Sequence, residues 1–157
     1  MQNKRTIQFK ETEDRSGKFV IEDSTGYLIN AAARVFAKAL HKRIMEHGVS
    51  IGQWPFLMFL WDEDGITQTE LSERIKIDTA TTVHTIDRME RDKLVMRVRS
   101  NKDRRQINIF LTEKAKQMQD LLIPYAVEVN ALATKGLSKQ DKVKLNELLL
   151  HMIKHLS

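Results

Sequence analysis

Apolar residues recur at helical spacing through most of the chain. Between Tyr27 and about Glu46 they fall three and four positions apart, which predicts an amphipathic helix, and Gly48 is a typical residue to end it. The stretch from Trp54 to about Asp62 is apolar on every side, so a second helix there should be buried on most of its circumference. The pattern favours a mainly α-helical domain.

Two short helices joined by a tight turn are predicted next. Thr67 is placed to cap the first, which should end near Lys76. Asp78 is placed to cap the second, which should run from about Thr79 to Lys93 and is the natural recognition element of a helix-turn-helix. The residues expected to face the core from this second helix are Val83, Ile86 and Met89.

The hydrophobic period then changes from that of a helix to that of a strand. Residues 95–99 and 106–111 alternate apolar and polar, and the segment between them is polar and basic. Met96 and Val98 would form the apolar side of the first strand, opposite Arg97 and Arg99. A helix-turn-helix followed by a basic hairpin predicts a winged helix-turn-helix with a two-stranded β wing.

The remaining segments set the domain organisation. Residues 1–23 are polar and without a sustained period, which predicts a mobile arm or an irregular lead-in. Residues 24–157 should form a single domain, because 157 residues are about one domain's length. Its winged helix-turn-helix would occupy about 50–112, between helices at about 24–48 and 112–157, the latter bent near Pro124 and capped again at Ser138.

Composition excludes several classes of function. The chain has no cysteine, so disulfide frameworks, cysteine-ligated zinc, thiol catalysis and thiol-based redox sensing are ruled out. The residues from Trp54 to Trp61 are too few to cross a bilayer, which takes roughly 20, and no apolar leader opens the chain. We therefore expect a cytoplasmic protein without a membrane partner, associated with the nucleoid when it is bound to DNA.

Enzymatic motifs are also missing. The sequence has no dinucleotide fingerprint, P-loop, zincin motif or nucleophile elbow, and we predict neither catalysis nor a cofactor. His151 and His155 lie four positions apart, a spacing that can bind one metal ion, but no convincing third ligand is near in sequence. No metal site is predicted, and metal binding by this pair is left open.

The positive charge is concentrated in one segment. Between Arg88 and Arg105 there are eight cations and three anions, so this segment carries as much net charge, +5, as the whole chain. Such clustering is the electrostatic pattern expected of a nucleic-acid contact.

The polar side of the predicted recognition helix carries groups that can read DNA. Arginine can bind guanine in a bidentate way in the major groove, and threonine can reach phosphates, base edges or the thymine methyl group. The alternative interpretation is an ordinary solvated helix face. The candidate residues are Thr81, His84, Thr85 and Arg88, with Thr82 at the margin.

The hairpin supplies further candidates. An arginine at a wing tip can enter the minor groove, and Asp103, two residues before Arg105, could hold that guanidinium in a fixed orientation. The alternative is an exposed ion pair worth roughly 0–1 kcal/mol. The predicted DNA contacts of the hairpin are Arg97, Arg99, Lys102, Asp103, Arg104 and Arg105.

Several motifs together resemble a known family. The quoted runs are Gln53-Trp54, Thr69-Glu-Leu-Ser72, Ile86-Asp-Arg-Met-Glu90, Leu94-Val95, Asp103-Arg-Arg105 and Leu111-Thr112. With them, residues 27–156 resemble the multiple antibiotic resistance regulator (MarR) family of bacterial transcription factors. Asp92-Lys93 departs from the pattern, since many members have a glycine before the hydrophobic pair.

The resemblance implies a homodimer, joined by the first helix and the last two helices. The last helix is very apolar for a terminal element, which independently favours burial against a partner. The resemblance also makes Arg105 the minor-groove contact and Asp103 its orienting partner. It further implies a small phenolic or aromatic carboxylate effector, for which we select Arg34, His41, Trp54 and Met58 as candidate ligands.

These expectations combine into a dimeric, sequence-specific DNA-binding regulator, a repressor released from a pseudo-palindromic operator by its effector. The absence of cysteine excludes the cysteine-oxidation mechanism of the hydroperoxide-sensing branch of the family. Two alternatives stay open: an effector-independent, non-specific architectural DNA-binding protein, and an all-helical interaction protein without a DNA partner.

Overall fold

The computed structural model describes residues 21–100, 103 and 105–157. Seven α-helices and one two-stranded antiparallel sheet lie in these residues, which confirms the predicted winged helix-turn-helix with flanking helices. The elements are α1 (Thr25–Ile44), α2 (Trp54–Asp62), α3 (Gln68–Ile75), α4 (Thr79–Arg91), β1 (Val95–Arg99), β2 (Ile107–Leu111), α5 (Glu113–Gln117), α6 (Gln119–Ala133) and α7 (Lys139–Leu156). Within the part of the chain that the structure describes, no helix is both long and apolar enough to cross a bilayer.

The chain divides between Ala39 and Leu40 into two compact units. The first unit contains a short 3₁₀ helix, Ile21–Asp23, and the greater part of α1. Its apolar side chains Leu28, Val35 and Phe36 are exposed. The second unit begins with the end of α1 and contains all the later elements.

The connection from α1 to α2 is made by a left-handed glycine and a side-chain bond. Gly48 has φ of 75°, and its N–H donates to Met45 O at 3.0 Å, which ends the helical segment as predicted. The side chain of Gln53 accepts the backbone N–H of Ser50 at 2.9 Å. Gln53, rather than Ser50, is the residue that precedes the first turn of α2.

The core of the second unit is formed by buried side chains from the end of α1, from α2 to α6 and from the two strands. Its largest fully buried side chains include Ile44, Phe56, Leu57, Leu60, Leu71, Ile86, Met89, Leu94, Ile109 and Leu122. The prediction that α2 is buried nearly all round is only partly right, because Met58 is 37% exposed and Trp54 is half-buried. Helix α2 packs against α3 and β2, and these two neighbours leave one of its sides uncovered.

Both helices of the helix-turn-helix begin at the predicted caps. Thr67 Oγ1 accepts the N–H of Glu70 at 3.1 Å, and Asp78 Oδ1 accepts the N–H of Thr81 at 2.8 Å. Each cap satisfies a backbone donor that the first turn of a helix leaves without an intrahelical partner. The turn between α3 and α4 starts at Lys76, whose φ is 61°.

The two strands of the wing pair with Val95 opposite Leu111 and Arg97 opposite Ile109. The predicted apolar side of β1 is wrong, because Met96 and Val98 are exposed while Val95 is buried. Successive side chains of a strand point to opposite faces, so Arg97 lies on the same face as buried Val95. An arginine is accommodated there because α4 supplies carboxylates for it, as described below.

The segment between α2 and α3 extends the wing sheet, which the sequence pattern did not reveal. Gly65 N–H donates to Ile109 O at 3.0 Å, and Ile109 N–H donates to Ile66 O at 2.9 Å. Gly65 has φ of 83°, and a Cβ at this position would overlap the ring of Phe110. A glycine is therefore required for β2 to approach this connection closely.

The C-terminal segment is interrupted earlier than predicted. Helices α5 and α6 meet at Met118, whereas Pro124 lies inside α6. Ser138 and Asp141 form a reciprocal capping box at the start of α7. Helix α7 contains no buried residue, and several of its leucines are exposed.

Candidate nucleic-acid interface

One side of α4 presents polar side chains to solvent. We define the α4 polar face as Thr81, His84, Thr85, Arg88 and Arg91. Thr85 is half-buried and its hydroxyl donates to Thr81 O at 2.8 Å, while the other four are exposed. Arg91 was not among the sequence-predicted contacts, although its position one turn beyond Arg88 and the basic charge run both pointed to it.

The first turn of α4 is held by Asp78. Besides capping the Thr81 amide, the Asp78 carboxylate accepts the Thr81 hydroxyl at 2.6 Å. These hydrogen bonds, with the Thr81 hydroxyl contributing most, lower the pKa of Asp78 below its ordinary value. These bonds to the Asp78 carboxylate hold Thr81 in place at the N-terminus of α4.

Thr82 does not belong to this polar face. Its side chain is fully buried, and its hydroxyl donates to Asp78 O at 3.0 Å. Val83, which was predicted to face the core, is 36% exposed instead. Ile86 and Met89 are buried as predicted, and Thr82 rather than Val83 is the third buried residue on the inner side of α4.

The guanidinium of Arg97, one of the predicted DNA contacts, is engaged by other protein groups. It forms ion pairs with Asp87, at 2.7 Å, and with Glu90. The same side chain donates to Val83 O at 3.3 Å and to Gln68 Oε1 at 3.4 Å, and it is only 21% exposed. Arg97 therefore connects the first strand of the wing to α4 and to the start of α3.

These ion pairs determine the charge of the α4 polar face. Asp87 and Glu90, the two carboxylates within α4, are both paired with Arg97. Arg88 and Arg91 form no ion pair with any residue that the structure describes. The side of α4 that faces solvent is accordingly cationic, as a phosphate-contacting surface must be.

Asp103, in the segment between β1 and β2, accepts two backbone hydrogen bonds. Its carboxylate accepts the backbone N–H of Arg105 at 2.9 Å, and its carbonyl accepts the N–H of Gln106 at 2.9 Å. No ion pair joins Asp103 to the Arg105 guanidinium in the described residues. The contact of the Asp103 carboxylate is with the Arg105 backbone, and orientation of the Arg105 side chain by Asp103 stays a prediction. Arg99 and Arg105 are exposed, and Lys102 and Arg104 lie outside the described residues.

A groove of about 550 Å³ adjoins the α4 polar face. We call it the α4 groove; His41 and Val49 line one part of it, and His84, Arg88 and Arg91 line another. The Nδ1 atom of His41 is buried and has no hydrogen-bond partner in the described structure. The groove thus combines cationic side chains of α4 with an imidazole of α1.

Only one of the four predicted effector ligands lines this groove, namely His41. Trp54 instead packs edge-on against Trp61, with ring centroids 5.8 Å apart, and Met58 is exposed elsewhere on α2. Arg34 is an exposed residue of the first unit. Sequence spacing selected Trp54 and Met58 for this role and Arg91 was not selected, although Arg91 of α4 lines the groove.

The histidines of α7 are close neighbours. The ring centroids of His151 and His155 are 4.0 Å apart, and His155 Nδ1 lies 2.8 Å from His151 O. Among the residues that the structure describes, no group of three or more histidine or acidic side chains is placed to hold a metal ion.

A capped recognition helix, a cationic outer side and an adjoining basic hairpin together define a winged-helix DNA-binding protein. The MarR family model matches residues 49–107. In solved structures, a MarR transcriptional regulator from Methanosarcina mazei Go1 is 33% identical, with a TM-score of 0.76 over 83% of this chain and 94% of that chain.

Two curated relatives agree with this similarity. The HTH-type transcriptional regulator MgrA of Staphylococcus aureus is 31% identical over 123 residues, which are 78% of this chain and 82% of MgrA. The HTH-type transcriptional regulator TtmR of Methylorubrum extorquens (strain PA1) is 30% identical over 103 residues, or 64% of this chain. The matched region is 53% of TtmR, about half of that relative's length.

The chain belongs to the MarR family. It is therefore a DNA-binding transcriptional regulator and not an enzyme.

Proposed function

We propose that this regulator is a homodimeric repressor that binds a pseudo-palindromic operator and is released by a small aromatic or phenolic carboxylate. The observation that carries the proposal is the charge separation on α4. Its carboxylates are paired with Arg97, whereas Arg88 and Arg91 face solvent without an ion pair in the described structure. A helix with this arrangement presents cationic side chains that can bind the phosphates and base edges of DNA.

In this proposal α4 enters the major groove of DNA. Arg88 would bind guanine O6 and N7, while Thr81, His84 and Thr85 would contact neighbouring bases and phosphates. On the wing, Arg105 would enter the adjacent minor groove, where the negative potential is strongest, and Arg99 would bind the backbone. Lys102 and Arg104 are further candidates from the sequence.

A second copy of the chain is the proposed occupant of the exposed apolar helix faces. In α7 the exposed apolar residues include Leu145, Leu148, Ile153 and Leu156. Leu28, Val35 and Phe36 of α1 are also exposed. Faces of this kind are expected to be buried in a dimer. Twofold symmetry would place two α4 helices in major grooves about 34–36 Å apart, one turn of DNA, and so requires a pseudo-palindrome.

The α4 groove is the proposed effector site. Its volume is in the range typical of small-molecule sites, about 300–1,000 Å³. Arg88 and Arg91 can bind a carboxylate, the His41 imidazole can form a hydrogen bond with a phenol, and Val49 provides an apolar wall. His84, Arg88 and Arg91 belong to both the groove and the α4 polar face. A bound carboxylate would therefore compete with DNA for the same side chains.

Selection of bound sequences from a random duplex pool, at about 150 mM salt to suppress non-specific phosphate binding, tests operator recognition. Recovery of a pseudo-palindrome with half-sites one turn apart is the expected result. A pool retained without enrichment would instead support an effector-independent architectural DNA-binding protein. No retention would show that the basic surface is not a DNA interface.

Effector release is tested with the selected duplex and with benzoate and 2-hydroxybenzoate as probes. We expect these probes to weaken DNA binding by the natural chain, and His41→Leu and Arg91→Gln to raise the probe concentration required. Arg34→Gln is the matched control, because Arg34 does not line the α4 groove. If Arg34→Gln impaired release while His41→Leu did not, the groove would be the wrong site.

A further inference from the structure

Arg97 joins three elements of the DNA-binding module through one side chain. From β1, its Nη1 pairs with Glu90 and its Nη2 pairs with Asp87, both residues of α4. Nη2 also donates to the carbonyl of Val83, and Nε donates to Gln68 at the start of α3. In addition, the Arg97 backbone N–H donates to Glu90 Oε1 at 3.0 Å.

The carboxylates of Asp87 and Glu90 would oppose DNA binding unless their negative charges were neutralised by a nearby cation. Asp87 and Glu90 have side-chain exposures of 55% and 35%, and they flank Arg88 in sequence on the recognition helix. A carboxylate near the phosphate backbone repels it, and this repulsion opposes the attraction of Arg88 and Arg91. Arg97 supplies the compensating charge from the strand rather than from the helix.

We propose that Arg97 is a positioning residue for DNA recognition, which neutralises Asp87 and Glu90 and fixes α4 relative to the first strand of the wing. The proposal rests on the proposed function, in which α4 and the wing bind DNA together. In this proposal Arg97 acts through α4 rather than by a DNA contact of its own, since each of its three guanidinium nitrogens has a protein partner. Arginine suits this role because its planar fork presents N–H donors to both carboxylates in a fixed geometry, whereas lysine offers a single point charge on a flexible stem.

Arg99 gives a matched comparison two residues further along the same strand. It is exposed, and no ion pair connects it to the described residues. Side chains two positions apart in a strand point to the same face, so both arginines are presented alike. They differ in whether carboxylates of α4 engage them. A direct phosphate contact is therefore expected of Arg99 and an indirect effect of Arg97.

The experiment is a double-mutant cycle on DNA affinity with Arg97→Gln and Asp87→Asn. The probes are the duplex that the natural chain enriches from a random pool and a random-sequence duplex of equal length. Arg97→Gln should weaken binding of the enriched duplex by about tenfold, the scale of a lost charged hydrogen bond. In the Asp87→Asn background the same change should cost only about threefold, because fewer carboxylates are then left uncompensated. Arg99→Gln should cost the same factor in both backgrounds.

Thermal unfolding identifies any variant that is not folded at the temperature of the binding assay. If Arg97→Gln is not folded, Arg97→Lys replaces it in the cycle, because the lysine keeps the charge and loses the fork. Among variants that are folded at the assay temperature, coupling of DNA affinity between Arg97 and Asp87 reports positioning rather than a loss of folded protein.

Equal losses from Arg97→Gln in both backgrounds would overturn the proposal and make Arg97 a direct DNA contact. No loss in either background would overturn it as well. Arg88→Gln and Arg105→Gln, measured on the same duplexes, test the proposed function separately. If these two variants bind normally, the DNA-binding surface is wrong; if they bind weakly while the Arg97 cycle shows no coupling, only the positioning role fails.

Discussion

The side-chain amide of Gln53 donates to Asp92 Oδ2 at 2.7 Å and thereby connects the start of α2 to the end of α4. Gln53 is buried, and its amide oxygen accepts the N–H of Ser50. One side chain thus links the helix that fills the core to the residue that caps the C-terminus of the recognition helix. The α4 groove also lies at this junction.

Replacement of Gln53 by methionine should lower the free energy of unfolding by about 1 kcal/mol, because two buried hydrogen bonds are lost while the side-chain volume is nearly kept. Urea denaturation measures this change. Gln117→Met is the control, since the exposed Gln117 bonds only Glu113 within its own helix in the described structure. Equal effects of the two substitutions would contradict a structural role for the Gln53–Asp92 contact.

Gly65→Ala should destabilise the protein by about 1–3 kcal/mol, because an alanine is strained at φ of 83° and its Cβ overlaps Phe110. Gly52→Ala, where no atom lies within 4 Å of an added Cβ, should have little effect. Adding Phe110→Leu to Gly65→Ala would separate the two causes, since a smaller side chain relieves overlap but not backbone strain. Thermal or urea unfolding of the three variants provides the measurement.

The cap of α4 should make stability depend on pH. Because hydrogen bonds from Thr81 lower the pKa of Asp78 in the folded state, its carboxylate stabilises the fold above the unfolded-state pKa and loses this effect as pH falls through the folded-state pKa. The stability advantage of the natural chain over Asp78→Asn should therefore shrink below about pH 4. Thermal unfolding between pH 7 and pH 3 checks this expectation. Asp62→Asn controls for a general change of charge. If the stability difference between the natural chain and Asp78→Asn stayed constant with pH, the proposed role of the Asp78 carboxylate would be contradicted.

Thr82→Val should leave operator affinity within about twofold, because Thr82 is buried and its hydroxyl bonds a backbone carbonyl. Thr81→Val, the same substitution on the exposed side, should weaken operator binding if the α4 polar face contacts DNA. Titration of the selected duplex with each variant distinguishes them. A strong loss for Thr82→Val with an unchanged Tm would place Thr82 at the interface after all.

Local signals in the chain were sufficient for the positions of most elements. Thr67, Asp78 and Thr112 each cap a helix with a side-chain oxygen, and Gly48 ends the first helical segment in a left-handed conformation. These contacts join residues at most four positions apart, so the residue types themselves carry the information. Alternation likewise located both strands of the wing.

The direction in which side chains point was harder to predict. The sequence pattern treated Met96 and Val98 as the inner side of β1, but tertiary structure turns Arg97 inward and leaves both apolar residues exposed. The inward position of the Arg97 side chain is favourable only because Asp87 and Glu90 of α4 form ion pairs with it. The spacing of residues within the strand does not indicate these contacts. Thr82 was misplaced for a different reason. Its hydroxyl donates to the carbonyl of Asp78 four residues earlier, so this polar side chain can be buried.

The sequence by itself therefore determined the order of helices and strands, the caps between them, the basic segment and the family. Those properties depend on local hydrogen bonding, hydrophobic period and net charge, all of which are readable along the chain. Tertiary structure alone decided which arginines remain exposed, which carboxylates are compensated and which side chains surround the α4 groove. Each of these depends on the distance between residues on different helices and strands, and that distance is set only once the elements have packed.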